Sequence, residues 1–126
     1  MFQYRAALAR PIDGDSTVLL IDLGFGVREE AEVRLLAVRA PEKSQPGGSE
    51  TTQFVAGWMA TQIASGLRWP LFIETVQTKV IEPTERMTFT RYLATVWPYG
   101  RRGTQDSLNY AVATFLSGHP EWPAGD

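Results

Sequence analysis

Two carboxylates stand one residue apart in Asp13-Gly14-Asp15, inside the turn-forming stretch Pro11-Ile12-Asp13-Gly14-Asp15-Ser16. Paired carboxylates in a turn can offer oxygens to a hard cation such as calcium. The same residues also make an ordinary Asp-Gly turn that satisfies its own backbone, and spacing alone favours that simpler use. Further on runs Val33-Arg34-Leu35-Leu36-Ala37-Val38-Arg39-Ala40-Pro41-Glu42. Arg34 sits in an apolar stretch at the same parity as Leu36 and Val38. Its planar fork matches phosphate geometry, which a lysine does not; the alternative is a surface arginine on a half-exposed strand. Glu42 follows a proline at the end of the run, where a carboxylate can act as a general base. Arg91 lies between Thr90 and Tyr92, at the parity of Phe89 and Leu93, either snorkelling to solvent or turned into a polar site. Trp97-Pro98-Tyr99-Gly100-Arg101-Arg102 mixes aromatic rings with guanidinium groups. Such a run can stack and pair single-stranded nucleic acid, or it is a solvated turn with Trp97 buried at a strand end.

Strands must position most of these groups. Residues 2–9, 17–23 and 31–38 are rich in β-formers, with turn formers between the first two and a glycine-containing break before the third, which reads as a hairpin. Gly24-Phe25-Gly26 lacks the third glycine of a phosphate-binding loop and lies between strands, so it belongs to hairpin geometry. Residues 40–49 form a loop. A helix follows, capped by Ser49 or Thr51, with Phe54, Val55, Trp58, Met59 and Ile63 at helical spacing and Gly66 as its stop. Residues 71–80 alternate again, with Leu71, Ile73 and Thr75 on one side. Residues 82–86 turn the chain and 88–97 make a fifth strand. A second helix, capped by Asp106 or Ser107, carries Leu108, Val112, Phe115 and Leu116 on one stripe. The expected fold is α+β, mainly β: a five-stranded barrel of the oligonucleotide/oligosaccharide-binding type with two helices. Residues 1–118 form its single domain and 119–126 an irregular acidic tail.

The ordered set of an Asp-Gly-Asp turn, Arg-Leu-Leu-x-Val-x-x-Pro-Glu, a helix, an arginine in the fifth strand and the capped run Leu108-Asn109-Tyr110-Ala111-Val112 resembles the staphylococcal nuclease (thermonuclease) family. The resemblance spans about residues 4–116. It implies a barrel that hydrolyses DNA and RNA phosphodiesters with a calcium ion. By motif position it implies catalytic roles for Arg34, Glu42 and Arg91 and a metal carboxylate at Asp15. Two guanidinium groups and a cation would then meet the charge that builds on a pentacovalent phosphoryl group.

One departure bears on that chemistry. The family pattern has an aspartate two residues before the Pro-Glu pair, where this chain has Arg39, followed by Ala40 where the family often has threonine. A unit charge about 5 Å away at an effective dielectric near 20 contributes roughly 3 kcal/mol. The exchange therefore weakens any calcium site, with Asp13 as a partial substitute. Two functions stay open. One is a non-catalytic or weakly active nucleic-acid-binding module with a degenerate metal site, using Arg39, Tyr92, Arg101 and Arg102 beside the matched arginines. The other is an active calcium-dependent phosphodiesterase. A protein partner is the alternative to nucleic acid.

The 126-residue chain is long enough for one core without covalent staples. Its 44% hydrophobic and 21% charged content excludes a disordered chain. With no cysteine, disulfides, thiolate metal sites and a cysteine nucleophile are excluded. The single histidine, His119, leaves no histidine-based triad. A net charge of −2 rules out a basic, nonspecific nucleic-acid coat but allows a local basic site. No run has the length of a membrane span, so a soluble, cytoplasmic protein without membrane contact is expected.

Overall fold

Alternation decides the barrel. In the computed structural model, which describes residues 2–76 and 92–125, five strands close on themselves in the order β1-β2-β3-β5-β4. They are β1 (Phe2–Pro11), β2 (Ser16–Gly24), β3 (Val27–Leu35), β4 (Leu71–Val76) and β5 (Tyr92–Pro98). All pairings are antiparallel except β3 with β5, which run parallel over 33–35 and 92–94. The register puts Leu8 opposite Leu19, Ala6 opposite Ile21, Tyr4 opposite Ile73 and Ile73 opposite Val96. One parity of every strand therefore faces the axis. Ala6, Leu19, Ile21, Val33, Leu35, Leu71, Ile73, Ala94 and Val96 fill the interior. Each fully buried Leu, Ile or Val contributes about 1.5–3 kcal/mol. This is the expected oligonucleotide/oligosaccharide-binding type of barrel, with its two helices.

The first helix, α1 (Gly48–Ile63), buries Val55 and Met59. The second, α2 (Leu108–Ser117), buries Leu108 and Val112, and both helices add to the barrel core. Ser107 caps α2 by accepting the Tyr110 N–H. Asp106 instead ends a short 3-10 turn at Thr104–Asp106 and accepts the Gly103 N–H. The α1 cap differs from expectation. Neither Ser49 nor Thr51 caps it. Gly47 does, at φ 85, and the Thr51 hydroxyl donates back to the Gly47 carbonyl. Gly66, at φ 77, closes the end of α1 by donating to the Ile63 carbonyl, as expected.

The third strand starts earlier and ends earlier than its apolar run suggests. It begins at Val27 because the β2–β3 hairpin closes through a two-residue tip, Phe25-Gly26, both at positive φ. Among the described residues Arg28, Glu29 and Glu30 pair only with β2, and all three are exposed. It stops at Leu35 because Ala37 takes φ 62 and the chain leaves the sheet. The expected turn at 82–86 and residues 77–80 and 88–91 of the expected strands lie outside the described residues. No helix among the described residues is long and apolar enough to cross a membrane.

Candidate functional site

Three parts of the chain that are distant in sequence meet beyond the β1–β2 turn. The register sets Ser16 opposite Arg34. Both belong to the outward parity, and the early end of β3 means Arg34 shares its face with Glu30 and Glu32 rather than with Leu36 and Val38. The Leu35 N–H donates to the Asp15 carbonyl at 2.8 Å, which locks the end of β3 to the start of β2. The Ala40 N–H then donates to Asp15 Oδ2 at 3.2 Å, which draws the 36–42 loop onto the turn. A Cβ on Gly14 would meet Thr51 Cγ2 at 2.5 Å and Ala40 Cβ at 2.8 Å, so only glycine lets the turn pack here. The result is a cleft of about 400 Å³ whose walls include Asp13, Asp15, Ser16, Glu32, Arg34, Glu42 and Lys43.

Asp15 is the buried member, 6% exposed. One Arg34 amino nitrogen lies 3.9 Å from its Oδ2, and the Ser16 hydroxyl donates to its Oδ1 at 3.4 Å. Burial raises its pKa to about 6 from the ordinary 3.8, and the hydrogen bond and charge of Asp13 push the same way. The Ala40 N–H and Arg34 pull it down, but by less. Asp13 itself accepts the Asp15 backbone N–H at 3.1 Å, the self-satisfied Asp-Gly turn that spacing favours. Glu42 holds its loop through main-chain bonds. Its N–H donates to Gln45 Oε1 and its carbonyl accepts the Gln45 N–H, both at 2.8 Å. The carboxylate is left exposed on the cleft wall.

Arg34, Glu42, Asp15 and Asp13 are thus brought together. Arg39 is exposed and outside the cleft lining. Arg101 is also exposed, and the Arg102 guanidinium lies 3.7 Å above the Phe72 ring, away from the cleft. Trp97 is half-buried at the end of β5, donating from Nε1 to the Gly103 carbonyl. Tyr92 lines a different recess, with Phe2, Tyr4 and Leu23. Arg91 lies outside the described residues. Glu32 could have been found from its parity with Arg34, and Lys43 and Ser44 from their place after Glu42. Gly125, which also lines the cleft, has no local signal at all.

Calcium takes six to eight oxygens, usually with several carboxylates. Among the described residues no three metal-ligating side chains converge, and the one buried carboxylate already accepts a backbone N–H beside a guanidinium. This donor set does not fit a resident calcium ion. No protein-family model matches the chain, and no curated protein sequence matches it either.

Proposed function

We propose that the barrel binds phosphodiester groups of single-stranded nucleic acid at the Asp15–Arg34 cleft and has no calcium-dependent catalysis there. The observation that carries this reading is what Asp15 does. Its carboxylate holds the 36–42 loop through Ala40 and lies beside Arg34, so it positions the guanidinium instead of a cation. Among the described residues Arg34 and Lys43 are the cleft's cations, against Asp13, Asp15, Glu32 and Glu42. A phosphate must compete with Asp15 for Arg34, so protonation of Asp15 near pH 6 favours the phosphate. The ordered resemblance to the nuclease family supports nucleic acid over other phosphodiesters, and Arg39 at the family's second carboxylate position supports binding over cutting.

The test is anisotropy of labelled single-stranded DNA and RNA across a salt series. Affinity should fall steeply with salt. Arg34→Ala should weaken binding by about tenfold or more, the scale of one charge-assisted contact. Salt-insensitive or absent binding would turn the reading towards a protein partner. Arg34 and Glu42 do share one cleft, which favours a second reading, metal-assisted phosphodiester hydrolysis. Cleavage that rises with calcium, stops with EDTA and is lost in Glu42→Ala would replace binding with that activity.

A further inference from the structure

We propose that residues 119–125 are a strap that covers Asp15 at the edge of the Asp15–Arg34 cleft, latched by Trp122 and released to open that carboxylate to a ligand. The identity of that ligand rests on the function proposed above; the strap itself does not. The chain leaves α2 through two tight turns, with the His119 N–H on the Leu116 carbonyl and the Trp122 N–H on the His119 carbonyl. The His119 and Trp122 rings stack at 3.8 Å and 7°. Phe115 contacts both rings and itself stacks on Phe54 of α1 at 4.5 Å. A Cβ on Gly47 would collide with the Trp122 indole, so the cap of α1 is shaped as its seat. Past Pro123 and Ala124, Gly125 is buried. A Cβ there would collide with the Ala40 carbonyl oxygen and stand 3.9 Å from Asp15 Oδ2.

What this segment covers separates a strap from ordinary terminal packing. A tail that only stabilised the fold would cover apolar surface, because burying charged groups costs free energy. Trp122 covers apolar surface in that way, but Gly125 lies on the wall of a cleft whose described lining includes six ionisable side chains, beside buried Asp15, while Phe2 and Leu23 at the other end of the barrel stay exposed. Among the described residues no backbone hydrogen bond ties 123–125 to the barrel. The aromatic latch is therefore the anchor, and losing it frees the segment as a unit.

The experiment labels carboxylates with a carbodiimide and glycine ethyl ester, mapped by mass spectrometry. Glu29 and Glu30 on the exposed hairpin serve as internal references. Trp122→Ala should accelerate labelling of Asp13 and Asp15 several-fold and leave Glu29 and Glu30 unchanged, whereas Trp122→Phe should stay slow. Equal rates in wild type and Trp122→Ala would overturn the strap. Hydrogen exchange on the wild-type chain covers the case in which Trp122→Ala fails to fold. The 121, 122, 124 and 125 amides should exchange much faster than those of α2, and exchange at the α2 rate would overturn the proposal. Labelled oligodeoxythymidine separates the two claims. Faster labelling with tighter binding in Trp122→Ala supports both. Faster labelling with no binding in either protein supports the strap and removes the nucleic-acid reading.

Discussion

At one end of β1, β2 and β3, Phe2, Tyr4, Ile21, Leu23, Ala31 and Tyr92 line a recess of about 240 Å³. All six belong to the parity that faces the barrel axis, so this recess is the mouth of the barrel. At the other end, Ser16, Glu32 and Arg34 come from the outward parity and join two loops to make the cleft. The mouth follows from strand alternation alone. The cleft needs the Gly14-Asp15 turn, Ala40 and the tail to meet from three places in the chain. A mostly apolar mouth, whose polar members are Glu29 and Thr75, tolerates local change, whereas a polar cleft depends on a few long-range hydrogen bonds whose loss leaves buried groups unpaired.

The sharpest way to break this contrast is at Asn109. Its Nδ2 donates to the Leu36 and Ala94 carbonyls and its Oδ1 accepts the Val96 N–H, all at 3.0 Å. One side chain thereby pins α2, β5 and the start of the 36–42 loop. Asn109→Ala should cost about 3 kcal/mol, near 1 kcal/mol per bond, and lower Tm by roughly 10 °C. Hydrogen exchange should rise more at Ala40 than at Ile21. Equal loss at both residues would mean that the two ends do not differ in how they are held.

Asn109 also marks the limit of what the sequence shows. Leu71, Ile73 and Thr75 on one face, the Ser107 cap and the hairpin are legible because each is set by near neighbours. The apolar run puts Arg34 on the face of Leu36 and Val38 because it does not reveal where Ala37 turns to positive φ. The α1 cap lies at Gly47, at φ 85 and packed under Trp122, 75 residues away in sequence. Asp13, Asp15, Arg34 and Glu42 were recognisable as a set, yet the Ala40 N–H that holds Asp15 is a backbone group that residue types do not report.

The second prediction concerns the cleft's buried charge. The folded pKa of Asp15 is raised, so its contribution to stability is fully present below about pH 3.8 and is lost as pH rises through about 6. Asp15→Asn removes the ionisation and keeps an acceptor for the Ala40 N–H. Relative to wild type, the variant should gain stability between pH 4 and pH 7 by up to ~3 kcal/mol, read from urea midpoints. A difference that does not change with pH would mean that Asp15 is solvated and that the cleft end is no more demanding than the mouth.

The smallest effect is expected at the hairpin tip beside the mouth. Phe25 is fully exposed and holds φ 56, a conformation that costs a non-glycine residue about 1 kcal/mol or more, whereas asparagine tolerates it and Asn-Gly is the favoured pair for such a tip. The ring packs on nothing among the described residues, so no packing is lost with it. Phe25→Asn should therefore raise stability by about 0.5–1 kcal/mol, a few degrees in Tm. It should leave cleft labelling unchanged, because the tip and the cleft lie at opposite ends of β2 and β3. A fall in Tm would show that the ring is packed in solution, and the mouth would then join the cleft as a region held by contacts distant in sequence.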